Sequence, residues 1–284
     1  MKKIKIIENN DNYEKKNVFV GEVITKKANN LKKIKLKNIF IYMNLIIIYI
    51  LLFIIQKNST NRMNQMQSKH NNNDISNPSI SEQAYDSLIN KYKRSSIIWP
   101  LPDTIIFRPI MTKNEIIALS YFMKPENIYF EFGSGGSTNL ASFYKVKTYS
   151  VESDVKWHEK LKFKGITANY ITVDLKVNHL GYPGNNTNVD DWKKYIQSYK
   201  REYNADIILI DGRFRVACAL DIFGKIRKDT LVLLHDYERK KYHVLEQFYI
   251  KLQIWDSLVL FIKDPKVSSI PEKIYNFYLK DKLL

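Results

Sequence analysis

The chain has 284 residues and a formal net charge of +16, which is long enough for one well-buried domain with extensions. Residues 1–57 carry twelve lysines against four acids, or +8, so half the excess lies in the amino-terminal tail and does not indicate a nucleic-acid-binding domain. The single cysteine, Cys218, excludes an intrachain disulfide, and no Cys/His cluster has zinc spacing.

The amino-terminal part predicts a membrane anchor. Residues 1–38 are polar and lysine-rich, typical of a disordered tail. Residues 39–55 follow as 17 uncharged residues, at the lower limit of a membrane-spanning length. More lysines precede than follow this run, which predicts a cytoplasmic amino terminus and a catalytic domain in the secretory-pathway lumen or outside the cell. A cleaved signal peptide is the alternative, but no small-residue cleavage site follows.

The next segment links this predicted anchor to the domain. Residues 56–97 are predicted to form a low-complexity stalk, because Asn, Gln and Ser dominate its first part. Ser81 can cap a short helix within this range. Residues 98–284 are predicted to form the catalytic domain. Near its start, Thr112 and Glu115 have the spacing of a capping box that begins a helix.

A glycine-rich turn after a buried strand organises the domain. The stretch Ile128-Tyr-Phe-Glu-Phe-Gly-Ser-Gly-Gly-Ser-Thr138 reads as a strand, a glycine turn and a helix start. No lysine follows the glycines, so the turn is not a P-loop, and Thr138 replaces the third glycine of the dehydrogenase fingerprint. The next strand ends at Glu152, 19 residues after Gly133, where a carboxylate can bind ribose hydroxyls. Together these features favour a nucleoside ligand without phosphates, of which S-adenosylmethionine is the common one.

Several segments resemble class I S-adenosylmethionine-dependent methyltransferases. Glu131-Phe-Gly-Ser-Gly-Gly-Ser-Thr138 resembles their first motif, and Tyr149-Ser-Val-Glu-Ser153 resembles their second strand. Ile210-Asp-Gly-Arg-Phe-Arg-Val-Ala-Cys218 and Leu234-His-Asp-Tyr237 are similar to segments of an uncharacterised methyltransferase-like family. The resemblance covers roughly residues 108–263. It implies an α/β domain with a doubly wound, Rossmann-like, mostly parallel sheet. The implied cofactor-binding residues are Glu131, Gly133, Ser134, Gly135, Gly136 and Glu152.

The third predicted strand and the connection after it carry two further candidates. Tyr170 to Asp174 reads as a strand. The resemblance places its closing Asp174 near the adenine amino group; a solvent-facing acid is the alternative. Residues 175–204 are longer than most strand–helix connections, which favours a substrate pocket or lid that includes Tyr182, although a simple turn explains Tyr182 as well.

The clearest buried strand of the chain leads directly into the predicted acceptor site. This strand, Asp206 to Asp211, places Asp211 at the ligand-binding edge of an open α/β sheet. Arg213 follows, and a guanidinium there suits an anionic or hydroxyl-rich acceptor. Arg215 is interpreted as a solvated residue at a helix start.

The following strand ends in His235-Asp236-Tyr237. His235 with Asp236 as its orienting acid is a plausible general base, since histidine takes a proton near neutral pH, and Tyr237 is predicted to contact the acceptor. A divalent-metal site is the alternative, because some O-methyltransferases of this fold hold magnesium with acids at these strand ends. Histidine in place of a hard oxygen ligand weakens that alternative, so no metal is predicted. Residues 242–252 have helical periodicity and are predicted to form an amphipathic helix.

These observations predict a membrane-anchored S-adenosylmethionine-dependent methyltransferase. The expected acceptor is a small molecule or a glycan that presents a hydroxyl group, and no nucleic-acid partner is expected. Asp211, His235 and Asp236 would position or deprotonate that acceptor. The alternatives are a non-catalytic nucleoside-binding module and a nucleotide-sugar-dependent transferase. The last would be expected to show a metal-binding Asp-x-Asp pair, and the sequence offers none in a suitable loop.

Overall fold

A computed structural model describes residues 81–178 and 181–281. The predicted basic tail, the predicted span at residues 39–55 and most of the predicted stalk lie outside the described residues. Among the helices that are described, none combines the length and the apolar character needed to cross a membrane.

A seven-stranded mixed sheet forms the centre of the domain. Its order is β3-β2-β1-β4-β5-β7-β6, and all neighbouring strands are parallel except those that pair with β7. The strands are β1 Ile128–Phe132, β2 Lys147–Glu152, β3 Asn169–Thr172, β4 Ile207–Ile210, β5 Leu231–Leu234, β6 Tyr249–Trp255 and β7 Leu258–Lys263. The predicted doubly wound, mostly parallel sheet is therefore confirmed.

Seven α-helices connect and cover the strands within the described residues. They are α1 Glu82–Tyr92, α2 Lys113–Phe122, α3 Gly136–Phe143, α4 Val155–Phe163, α5 Val189–Ile196, α6 Arg215–Phe223 and α7 Glu272–Leu279. Two of the helix starts follow the predicted capping chemistry, because the side chains of Ser81 and Thr112 each accept a backbone N–H bond from the first turn. Asp154 caps α4 in the same way. Glu115 completes the capping box of α2.

Hydrophobic side chains bury both faces of the sheet. Along β1, Tyr129 belongs to one core cluster while Phe130 and Phe132 belong to the other, because successive side chains of a strand point to opposite faces. The cluster around Tyr129 includes residues of α1, α2 and α3. The other cluster includes residues of α5, α6 and α7. The carboxyl ends of β1, β2, β4 and β5 are thus left as the edge at which the predicted site residues lie.

One sequence expectation is corrected by the fold, and another is confirmed. Residues 242–252 are not an α-helix: Lys240–Gln247 is a 3₁₀ segment, and β6 follows it. Pairing of β6 with β7 around the tight turn at Asp256 outweighs the helical periodicity. The short helix predicted to begin at Ser81 is present as α1. Tyr92 of α1 is buried in the core, and its hydroxyl donates to Asp229 Oδ2 at 2.9 Å.

Candidate active site

The loops after β1 and β4 touch through two glycines. Gly133 has φ +95°, a conformation that favours glycine, and a Cβ there would lie 2.8 Å from Gly212 Cα. A Cβ on Gly212 would lie 3.0 Å from Gly133 N and 2.0 Å from the Tyr195 hydroxyl. This contact places the predicted cofactor loop directly beside the loop that carries Asp211.

An extended segment before α2 lies against the same loop. A Cβ on Gly136 would lie 2.2–2.4 Å from the backbone of Arg108 and Pro109. Asn139 Nδ2 donates to the Phe107 carbonyl at 3.2 Å, so the first turn of α3 also holds this segment, which we call the strap (residues 107–109). Gly135 differs, because a Cβ built there meets no atom within 4 Å. The glycine loop is therefore packed at Gly133 and Gly136 and open at Gly135.

Glu152 binds the glycine loop directly. Its Oε2 accepts the backbone N–H of Ser134 at 3.0 Å, and its Oε1 accepts those of Ser153 and Asp154 at 2.6 and 2.8 Å. Burial raises the pKa of Glu152, and these backbone bonds offset part of the rise. Trp157 of α4 donates its indole N–H to the Ser134 carbonyl at 2.8 Å. The predicted ribose acid and the glycine loop thus lie together at one edge of the sheet.

Glu131 stabilises the glycine loop from below and does not line the crevice. Its side chain is fully buried, and both of its oxygens are occupied by hydroxyl donors, which come from Tyr129, Ser137, Thr138 and Ser150. Thr138 also accepts the Gly135 N–H at 2.7 Å, so Glu131 holds the glycine loop through that side chain. The expectation that Glu131 contacts the cofactor is therefore corrected, because four donors saturate a carboxylate.

The buried position of Glu131 predicts a pH-dependent stability. Burial raises its pKa to about 7 against the opposing effect of the hydroxyl donors. The folded state therefore favours the protonated carboxyl. That contribution is complete below the unfolded pKa and is lost as the pH rises through about 7. Between pH 5 and pH 8 the free energy of unfolding should fall, by on the order of 2 kcal/mol, for wild type relative to Glu131→Gln.

Urea denaturation at the two pH values measures this difference. Glu126→Gln is the matched control, because Glu126 is exposed, and it should keep the wild-type pH dependence. The same fall in Glu131→Gln as in wild type would show that another group is responsible.

Asp211 and His235 form a hydrogen-bonded pair at the ends of β4 and β5. His235 Nδ1 lies 2.9 Å from Asp211 Oδ1 and 3.7 Å from Asp236 Oδ1. The sequence interpretation is corrected here, since the acid that orients His235 is Asp211 and not its neighbour Asp236. Burial lowers the pKa of His235, but the bond to Asp211 and the nearby carboxylates outweigh burial and raise it.

Arg215 joins the two strand ends. Its guanidinium lies 3.1 Å from Asp211 Oδ1 and 3.0 Å from Asp236 Oδ2, and it donates to the His235 carbonyl at 2.5 Å. Only 8% of Arg215 is exposed, so its interpretation as a solvated helix start is wrong. Asp236 has φ +61°, a left-handed conformation that non-glycine residues rarely adopt, and Arg239 Nη2 also binds it, at 2.7 Å.

Two of the remaining predicted residues come together beside Glu152. The Arg213 guanidinium lies 3.7 Å from the ring centroid of Tyr182, a cation–π geometry. A Cβ on the preceding Gly181 would lie within 4 Å of both Arg213 and Ser153. This part of the long connection therefore lies next to the β2 and β4 ends, as the pocket interpretation requires.

The other two predicted residues differ in position. Tyr237 is buried, stacks on His243 and donates its hydroxyl to Glu246, so the expectation that it contacts the acceptor is corrected. Asp174 is exposed and pairs with Lys176. Hydrogen bonds from Lys176 lower the pKa of Asp174. Its predicted contact with adenine stays a prediction.

Glu115 is a member of the site that the sequence analysis assigned only to a capping box. Glu115 caps α2, but its Oε2 also lies 3.5 Å from His235 Nε2. The spacing of Thr112 and Glu115 explains the cap completely, so no local signal connects Glu115 with His235, which lies 120 residues further along the chain. Within the described ranges, no group of three or more His, Cys, Asp or Glu side chains has the geometry of a metal site.

The strand order and the glycine loop at the carboxyl edge define the class I methyltransferase fold. No family model and no curated protein sequence matches the chain. Among solved structures, it is similar to a methyltransferase-like protein from Silicibacter pomeroyi, with 26% identity and a TM-score of 0.54 over 61% of this chain and 98% of that one. It also matches an SAH-bound methyltransferase from Podospora anserina, with 12% identity and a TM-score of 0.38 over 67% and 99% of the two chains.

Proposed function

We propose that this protein is an S-adenosylmethionine-dependent methyltransferase that methylates a hydroxyl group. The observation that carries the proposal is the direct bond between Glu152 and the glycine loop, next to the open space at Gly135. A carboxylate at the carboxyl edge of the sheet can accept hydrogen bonds from ribose hydroxyls. The glycine loop beside it lets the backbone come close to the ligand. The methyltransferase-like protein from Silicibacter pomeroyi has a similar fold.

The residues around Gly135 fit such a ligand. The open backbone at Gly135 would approach the ligand, and Glu152, which binds the neighbouring Ser134 N–H, would lie beside the ribose ring. The Ser153 hydroxyl makes the longest bond to Glu152, at 3.3 Å, and its rotation would free an acceptor position for a ribose hydroxyl. Asp174 would approach the adenine amino group. When bound, S-adenosylmethionine supplies an electrophilic methyl group.

Asp211 is the residue we assign to proton removal. Its side chain is 27% exposed, whereas that of His235 is 10% exposed. His235 and Arg215 both bind Oδ1, which leaves Oδ2 to take the proton of the acceptor hydroxyl while the acceptor oxygen gains the methyl group. His235 and Asp236 keep a positioning role, since both lie around the Asp211 carboxylate and its Arg215 partner.

The proposed class of acceptor follows from Arg213 and Tyr182, which lie at the rim of the site. The Arg213 guanidinium lies over the Tyr182 ring, and this pairing of a cation with an aromatic ring suits a sugar or another hydroxyl-rich, partly anionic molecule. A glycan is the acceptor class we favour, because the predicted anchor would place the domain in the secretory pathway. A non-catalytic nucleoside-binding module and a nucleotide-sugar-dependent transferase are the competing functions.

Calorimetry with S-adenosylmethionine tests the proposal first, and label transfer to a panel of glycans and small hydroxyl compounds follows. Binding with label transfer supports the enzyme. Binding without transfer across the panel supports the module. Absence of binding, together with binding of a nucleotide sugar, would overturn the methyltransferase assignment in favour of the transferase.

We also propose that residues 39–55 anchor the protein in a membrane, on the evidence of their sequence alone. The full-length protein should remain in the membrane pellet after alkaline carbonate extraction, and deletion of residues 39–55 should release it. The domain should resist added protease in intact vesicles and become sensitive after detergent. Extraction of the wild-type protein by carbonate would contradict the anchor.

A further inference from the structure

Glu115 is a buried carboxylate that connects three separate parts of the domain. It lies in the first turn of α2 with 1% of its surface exposed. Its Oε1 accepts the backbone N–H and the hydroxyl of Ser257, at 2.7 and 2.6 Å, in the turn between β6 and β7. Its Oε2 accepts the Thr112 N–H at 2.6 Å and faces His235 Nε2 at 3.5 Å. The carboxylate is therefore fixed in place on both oxygens.

His235 lies between Glu115 and Asp211. Its Nδ1 is within hydrogen-bond distance of Asp211 Oδ1, while its Nε2 faces the Glu115 carboxylate. A carboxylate oxygen only accepts hydrogen bonds, so both ring nitrogens gain by carrying hydrogen. Removing the Nδ1 proton would bring the nitrogen lone pair against Asp211. Glu115 therefore favours a doubly protonated ring whose Nδ1–H points at Asp211.

We infer that Glu115 is a positioning residue for methyl transfer, which holds His235 so that its Nδ1–H binds Asp211 Oδ1 and leaves Oδ2 for the acceptor hydroxyl. This inference rests on the proposed function, in which Asp211 takes the acceptor proton. This role accounts for the position of Glu115, a helix-capping residue that lies beside the end of β5 although the two are far apart in the sequence. Glu115 acts through His235 and touches no reacting atom.

Nuclear magnetic resonance of the full-length protein labelled with ¹⁵N-histidine tests the inference. The protein has five histidines, and loss of signals in His235→Gln assigns those of His235. A pH titration of these signals reports the pKa of His235. In Glu115→Gln the titration should shift to lower pH than in wild type, because one of the carboxylates that stabilise the charged ring is lost. For an active acceptor, kcat should fall about tenfold, because the charge pair with Glu115 no longer holds the His235 ring, and the Kd for S-adenosylmethionine should be unchanged.

Thr112→Val is the matched control, because it removes the cap hydroxyl from the same helix start without touching His235. Its His235 signals should stay as in wild type. Ser257→Ala removes one bond to Glu115 and should move the signals part of the way, which keeps the test available if Glu115→Gln does not fold. Unchanged His235 signals in folded Glu115→Gln, or equal changes in Thr112→Val, would overturn the inference. Calorimetry on the same wild-type sample decides the proposed function separately.

Discussion

Asp211→Asn is expected to bind S-adenosylmethionine with wild-type affinity and to transfer the methyl group about 10²- to 10⁴-fold more slowly, the usual contribution of a positioned base. The amide has nearly the same shape as the carboxylate, and its oxygen can still accept from His235 Nδ1 and Arg215. What the amide lacks is the basicity to take the acceptor proton. The loss should therefore appear in kcat and not in the Kd of the cofactor.

Single-turnover label transfer and calorimetry measure the two quantities for Asp211→Asn. Asp190→Asn is a suitable control, since Asp190 is an exposed carboxylate that pairs with Lys193 on the surface, and it should leave both quantities unchanged. Transfer by Asp211→Asn at the wild-type rate would remove Asp211 as the base. A large loss of cofactor affinity would instead assign Asp211 to cofactor binding.

Gly136→Ala is expected to lower the stability of the protein, whereas Gly135→Ala is expected to weaken cofactor binding. The methyl group at position 136 would meet the strap backbone at 2.2–2.4 Å, and backbone cannot rotate aside as a flexible side chain can. The expected loss of stability is about 3 kcal/mol or more, at the upper end for overpacking. At position 135 the methyl group enters open space, and its φ of 172° is open to any residue. Stability should stay near wild type, while S-adenosylmethionine binding should weaken at least tenfold.

Urea denaturation and calorimetry on the two variants separate these effects. Gly224→Ala provides the control, because a Cβ there meets no atom within 4 Å and the residue lies at the end of α6, away from the loop. It should change neither quantity. Wild-type cofactor affinity in Gly135→Ala would show that the open space at the glycine loop is not the cofactor site.

Local chemistry in the sequence was sufficient to predict most of the fold. The apolar runs that became β1, β4 and β5, the glycine turn, and the caps at Ser81 and Thr112 each follow a rule that acts within a few residues. The segment that became β6 broke this pattern. Its strand character comes from pairing with β7, and a partner across a turn can override a helical period.

The candidate site was predictable as a set of strand ends but not as a set of contacts. The sequence places Asp211, His235 and Asp236 at the same edge of the sheet, and the structure keeps them there. Which acid faces His235 depends on side-chain directions that β4 and β5 fix only in three dimensions. Glu131 shows the same limit: its motif position suggests a ligand contact, while four surrounding hydroxyls make it a support.

The contact between Gly133 and Gly212 has a consequence for how acceptor preference can diverge among proteins built this way. Backbone packs against backbone at this contact. Substitution of neighbouring side chains should therefore change little the distance between the glycine loop and the loop that carries Asp211. Under the proposed function, the distance between the bound methyl donor and Asp211 would therefore be set by the backbone. A change in the preferred acceptor would then depend on substitutions at Tyr182 and Arg213, and not on residues deeper in the crevice.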